Sequence, residues 1–275
     1  MAQIAVSAVN IMTPLLFAAA GGLFTELAGT LNIALEGLLL IGAFSAAAAA
    51  WYTGSFAAGI AAGIAGSLIL SAFLAAAALK LKSNVFIAGL AVNLFASGFT
   101  VILSDRFFGT RGVVVLKALS PLPEFNPYIY AGWIFLFAAW IVLYRTPFGY
   151  RLRASALNEQ ALRSLGLRPD TYRFAAFLVS GLACGLGGSF LSLNLGAFVP
   201  NISAGRGWIA LVVIYLGGRK PLGLFAAAFI FGLADAFSNY VQGVIEVPAD
   251  FILAIPYIFV LAVMVGVSVY TRRKR

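Results

Sequence analysis

Stretches of apolar residues long enough to cross a bilayer alternate along this chain with short polar breaks. They run at roughly 5–25, 37–54, 56–79, 85–103, 128–144, 174–195, 207–218, 222–240 and 250–270. A hydrocarbon core about 30 Å thick is crossed by ~20 helical residues, so this spacing predicts an all-α fold, a polytopic transmembrane helical bundle of about 8–10 spans. The 207–218 stretch is too short to cross unaided, which predicts broken or re-entrant segments. The first stretch follows an uncharged N-terminus with neither a basic leader nor a cleavage site, and reads as a retained span.

Two breaks interrupt the apolar pattern at corresponding places in the two halves. TELAGTLNIALEG (25–37) carries Glu26, Asn32 and Glu36, and FVPNISAGRGWIAL (198–211) carries Pro200, Asn201, Ser203, Gly205, Arg206 and Gly207. Backbone inside hydrocarbon survives only when buried in protein or lining a wet cavity, and paired interruptions of this kind point to a translocation path. Asn32, Glu36, Asn93, Asn201, Ser203 and Arg206 are the candidates for that path; the competing reading makes both breaks ordinary loops at the membrane surface. Asn93, Asp235 and Asn239 stand in otherwise apolar helices, where polar groups pair inside the bundle or face water. The small-residue strings AAGIAAGIAG (57–66) and GLACGLGG (181–188) predict tight helix contacts.

Charge orients the bundle. Lys80, Lys82, Arg145, Arg151, Arg153, Arg163, Arg168, Arg173, Arg219, Lys220, Arg272, Arg273, Lys274 and Arg275 fall on one side, 14 of the 18 basic residues. Arg106, Arg111, Lys117 and Arg206 fall on the other, with Asp105, Glu124, Glu246 and Asp250. The positive-inside rule then puts the C-terminus and the 145–173 loop in the cytoplasm, and 104–127 becomes the main external loop, either a cover for the outer mouth or a plain connector. The net charge of +9 is mostly topological, which leaves no basic soluble face for nucleic acid.

Within the 145–173 loop a short helix is expected at 158–166. Asn158 caps its first turn, and Gly166 with Pro169 stops it. Leu157 and Leu162 suit a hydrophobic staple, and Glu159 with Arg163 an i,i+4 ion pair. So short a helix is marginal alone in water, so it must dock against the spans or a partner. The flanking Arg145, Arg151, Arg153 and Arg173 read as topology determinants.

Composition narrows the chemistry. At 62% hydrophobic and 10% charged residues, with no histidine and a single cysteine, the chain has no room for a large soluble domain, a thiol metal site or a His-based catalytic or proton-relay group. No catalytic residue and no metal ligand is assigned. There is no GxxxxGK[ST] phosphate loop.

The string TPFGYRLRASALNEQALRSLGLRPDTYRFAAFLVSGLACGLGGSFLSL resembles the signature stretch of permease subunits in bacterial ABC importers of the branched-chain amino acid, ribose and nucleoside group. LNIALEG resembles that family's Leu-Asn-x-x-x-Glu-Gly element, and GRGWIALVVIYLGGRKPLG its Gly-Arg-Gly stretch, so the likeness runs over nearly the whole chain. The first element and the Asn93-bearing helix look most like nucleoside or purine permeases; branched-chain members more often carry a His there. The chain departs from the pattern at Leu157-Asn158-Glu159-Gln160, where many relatives have a Gly-Glu-Asn-Pro-like turn.

The resemblance implies a single permease domain over 1–275 in the bacterial inner membrane, working by alternating access. It binds no cofactor itself; ATP and Mg sit on a separate cytoplasmic ATPase subunit. That subunit receives a coupling helix formed by Asn158, Glu159, Ala161, Leu162, Arg163, Leu165 and Gly166, with Ala161, Leu162 and Leu165 as apolar anchors and Glu159 and Arg163 at the rim. A second permease subunit, identical or related, closes the path, and an extracytoplasmic binding protein delivers a nucleoside, a purine or a simple sugar. The alternative is an ion-coupled secondary transporter or channel relying on Glu26, Glu36 or Asp235.

Overall fold

A computed structural model describes residues 2–116 and 127–242 of the chain. Ten helices and one short strand pair account for nearly all of them. The helices are α1 (Ala2–Leu27), α2 (Leu35–Thr53), α3 (Phe56–Leu79), α4 (Val85–Phe108), α5 (Pro127–Arg145), α6 (Pro147–Leu157), α7 (Glu159–Ser164), α8 (Pro169–Leu195), α9 (Arg206–Leu216) and α10 (Pro221–Gln242). Among the described residues, α1, α2, α3, α4, α5, α8 and α10 are long and apolar enough to cross a membrane. The expected 250–270 span, the terminal basic cluster and the middle of the 104–127 loop lie outside the described residues.

Packing is centred on α8, which lies against α1, α2 and α3. Its glycines make this possible. A side chain at Gly185 would come within 2.6 Å of the Ile64 backbone, and one at Gly188 would meet the Leu39 carbonyl. The two small-residue strings therefore pack on each other, with Gly63 and Gly185 at the closest approach of α3 to α8. In lipid, where apolar surface gains nothing by leaving the tails, such close backbone approach is the main source of helix attraction. The outer helices α3 and α4 leave Phe73, Phe86, Ile87 and Leu94 exposed on their outward faces, as lipid-facing surfaces require.

One end of the bundle gathers most of the described basic residues, on the α3–α4 turn, α6, α7, the start of α8 and the α9–α10 turn, beside the end of α1, where Glu26 meets Arg219. At the far end β1 (Val114–Val115), early in the 104–127 loop, pairs antiparallel with β2 (Ala197–Phe198) just after α8. Helix α4 runs five residues beyond the expected 103, to Phe108, until Gly109 takes a left-handed φ of 69° and ends it. Helix α9 is 11 residues long. At 1.5 Å per residue it covers roughly half a bilayer, too little to cross one alone.

Candidate functional site

The basic island resolves into two helices hinged at Asn158. Thr146 caps α6, accepting from the Gly149 amide at 3.3 Å, with Pro147 in the first turn. Asn158, at φ −152°, ends α6 and caps α7, its Oδ1 accepting from the Ala161 amide at 3.0 Å. The Glu159–Arg163 pair forms at 2.6 Å. The staple does not: Leu162 is 4% exposed and turned into the bundle, whereas Leu157 is 86% exposed. Leu157, Ala161 and Leu165 make the outward apolar surface, and Leu162 is the anchor that holds α7 down.

Arg173 pins the island. Its guanidinium, 18% exposed, lies 3.0 Å from Glu159 and 3.4 Å from Asp170, and donates to the Ser155 carbonyl at 2.9 Å. Hydrogen bonds from Arg163 first and Arg173 second hold the Glu159 carboxyl below its ordinary value. Arg153 stacks over the Tyr144 and Tyr150 rings, at 4.7 and 5.1 Å from their centroids. Helix α6 and the pinning role of Arg173 escaped the sequence reading. Thr-Pro at 146–147 was the available signal for the former, while the latter depends on partners brought together only by folding.

The two polar breaks meet inside the bundle. Asn32 is fully buried; its amide donates to Ser180 Oγ at 2.9 Å and its Oδ1 accepts from the Ala34 amide. Asn93 reaches across from α4, accepting from the Gly37 amide at 2.8 Å and donating to the Ile33 carbonyl at 2.9 Å. Glu36 accepts from the Gly205 and Gly207 amides, at 2.8 and 2.7 Å, at the start of α9. Ser203 is 1% exposed, and Asn201, exposed, accepts from Ser97 Oγ at 3.0 Å. Thus Asn32, Glu36 and Asn93 hold irregular backbone that hydrocarbon cannot solvate.

Arg206 is the exception. It borders a cavity of about 250 Å³ with a largely apolar wall, Pro14 and Phe190 among it, and with Asn10 and Asn194 as the other polar residues. A second cavity of about 600 Å³ shares Asn10 and Ile11 with the first and adds Ser7, Asn239 and Tyr240. Together they form a track along α1 between α8 and α10 that carries polar groups on a largely apolar wall. Asn239 was visible in the sequence as an intramembrane polar residue. Asn10 and Asn194 were not singled out, since an isolated amide near a helix end looks like any terminus.

The fold has relatives of known kind. The nucleoside ABC transporter permease protein NupC of Lactococcus lactis subsp. cremoris is 30% identical, over 92% of this chain and 88% of its own length. The guanosine ABC transporter permease protein NupQ of Bacillus subtilis is likewise 30% identical, over 92% and 88%. A solved metal-chelate type ABC transporter in an inward-facing conformation shares the fold at a TM-score of 0.53 and 16% identity, over 95% of this chain and 85% of that one. Residues 4–270 match the family described as branched-chain amino acid transport system / permease component, and the chain belongs to that family of ABC importer permease subunits.

Proposed function

We propose that this chain is the permease subunit of a nucleoside importer, with its basic end in the cytoplasm and the Asn10–Arg206 track as its share of the translocation path. The observation that carries the reading is the track itself: amides and a guanidinium line up along one side of α1, while the outer faces of α3 and α4 are apolar. Polar groups within a membrane must meet protein or water, so a second permease subunit, a copy of this chain or a related one, faces this track and closes the path. Amide groups and an arginine suit the hydroxyls and ring nitrogens of a nucleoside. The names of the two relatives support that solute class.

ATP and Mg belong to a separate ATPase that grips α6 and α7 through Leu157, Ala161 and Leu165; an extracytoplasmic binding protein supplies solute at the far end. Closure of two ATPases draws two such helix pairs together and tilts the attached spans.

Uptake by the reconstituted complex in vesicles tests this. With ATP on the ATPase side, labelled guanosine or uridine should accumulate, and pentoses and branched-chain amino acids should compete weakly or not at all. Accumulation driven by an ion gradient without ATP would overturn the importer reading; preference for pentoses would overturn the solute.

A further inference from the structure

The two carboxylates of the first polar break hold α9 at both ends. At its start, Glu36 spans the Gly205 and Gly207 amides, two of the donors that a helix leaves unpaired. The α9 N-cap has no side-chain bond of its own, so Glu36, itself in the first turn of α2, serves in its place. At the other end, Glu26, 10% exposed in its side chain, lies 3.0 Å from Arg219 and accepts from Tyr215 Oη at 3.2 Å. Contact is close enough that a side chain at Gly207 would run into the Glu36 backbone.

The segment leading into α9 is strained: Asn201 and Ala204 have φ of 56° and 46°, in the left-handed region that L-residues keep only where their surroundings hold them. Glu36 is part of what holds them. Between Glu26 and Glu36, the 28–30 turn lies on α6, with Gly29 against Ala156 and the Ala28 carbonyl accepting from Ser155 Oγ at 3.3 Å. The 25–37 segment therefore touches the island on one side and grips α9 on the other.

We propose that Glu36 and Glu26 are positioning residues that make α9 follow the island: when α6 moves, the 25–37 segment carries α9 with it, shifting Arg206 at the edge of the track. The proposal rests on the importer reading. It assigns Glu36 the transmitting contact, because its two short bonds to the α9 amides are the direct link from the island side to the residue beside the path.

The test compares uptake with ATP hydrolysis in the same vesicles, using the full complex with labelled guanosine as the probe. For Glu36→Gln, one amide loses its acceptor. Hydrolysis should stay within about twofold of the unaltered complex while uptake falls about tenfold or more, raising the ATP used per solute. A purely structural role would lower uptake and hydrolysis together with the amount of complex, leaving that ratio unchanged; this result would overturn the proposal. Should Glu36→Gln fail to accumulate in the membrane, Glu36→Asp keeps the charge on a shorter arm, and the same ratio should rise severalfold; an unchanged ratio again overturns it. An unaltered complex that accumulates guanosine without ATP removes the importer reading and the proposal together. ATP-driven uptake with an unchanged ratio in the variants removes the proposal alone.

Discussion

Arg173 joins three acceptors at once, and few single residues in the island carry as much. Its side chain is 18% exposed, so its pairs with Glu159 and Asp170 are screened less than those of a free surface arginine. Arg173→Met keeps the length and removes the donors; it should weaken the docking of α7 by about 1–2 kcal/mol, read as faster hydrogen exchange at 158–166 with the spans unchanged. Glu159 gives the same island a pH dependence whose sign follows from its lowered pKa. The contribution of a carboxyl whose native value is depressed is complete above the ordinary value of 4.5 and disappears as pH falls through the lower native one. Protection at 158–166, corrected for the intrinsic pH dependence of amide exchange, should therefore be flat from neutral pH down to about 5 and fall below about 4, and Glu159→Gln should show the lower protection already at neutral pH. The Asn158 cap and the Glu159–Arg163 pair were legible in the sequence because both are local, set by spacings of three and four residues. Arg173 was legible only as a charge, since its bond to the Ser155 carbonyl joins positions 18 residues apart.

At the scale of elements, a six-residue helix holds its shape only through what it is packed on. Leu162 supplies that packing for α7 and Leu165, 75% exposed, is left for a partner. The two leucines should separate by experiment. Leu165→Asp, alone or with Leu157→Asp, should sharply reduce co-purification of the ATPase while the permease inserts normally. Leu162→Asp buries a charge against the bundle and should loosen α7 itself, seen as proteolysis within 158–166 even without the ATPase. Undiminished co-purification of the Leu157/Leu165 double variant would remove the coupling role. The capping pattern marked where α7 begins, but not which of its leucines faces in; helical phase on so short an element is set by the neighbour it meets. Helix α6 was less legible still, because its Arg151 and Arg153 break any apolar period and Arg153 lies over two aromatic rings.

For the whole molecule, polarity inside the membrane divides into two kinds, and they predict different failures. The two breaks stood out in the sequence as a matched pair of polar interruptions. That they lock onto each other, with Glu36 reaching residues 169 and 171 positions away, is a product of tertiary packing that no local pattern encodes. Asn93 gives both halves of its amide to broken backbone, Asn32 gives its Oδ1 there and its NH2 to Ser180 Oγ, and both are almost fully buried. Asn239 borders a cavity of mixed polarity between α1 and α10. Asn93→Leu should strand the Gly37 amide and the Ile33 carbonyl, a loss of about 1–3 kcal/mol, so less permease should survive detergent extraction and heating. Asn239→Leu should leave extraction, thermal stability and ATPase co-purification unchanged, yet cut guanosine uptake about tenfold, the order expected when a polar partner of a solute is lost along a path. The two outcomes exchange places if the path runs through the breaks: Asn93→Leu would then keep its stability and lose uptake, while the Asn239 variant would transport normally. Measuring thermal stability and uptake on the same three preparations, the unaltered chain and these two variants, decides between a track along α1 and a path through the paired breaks.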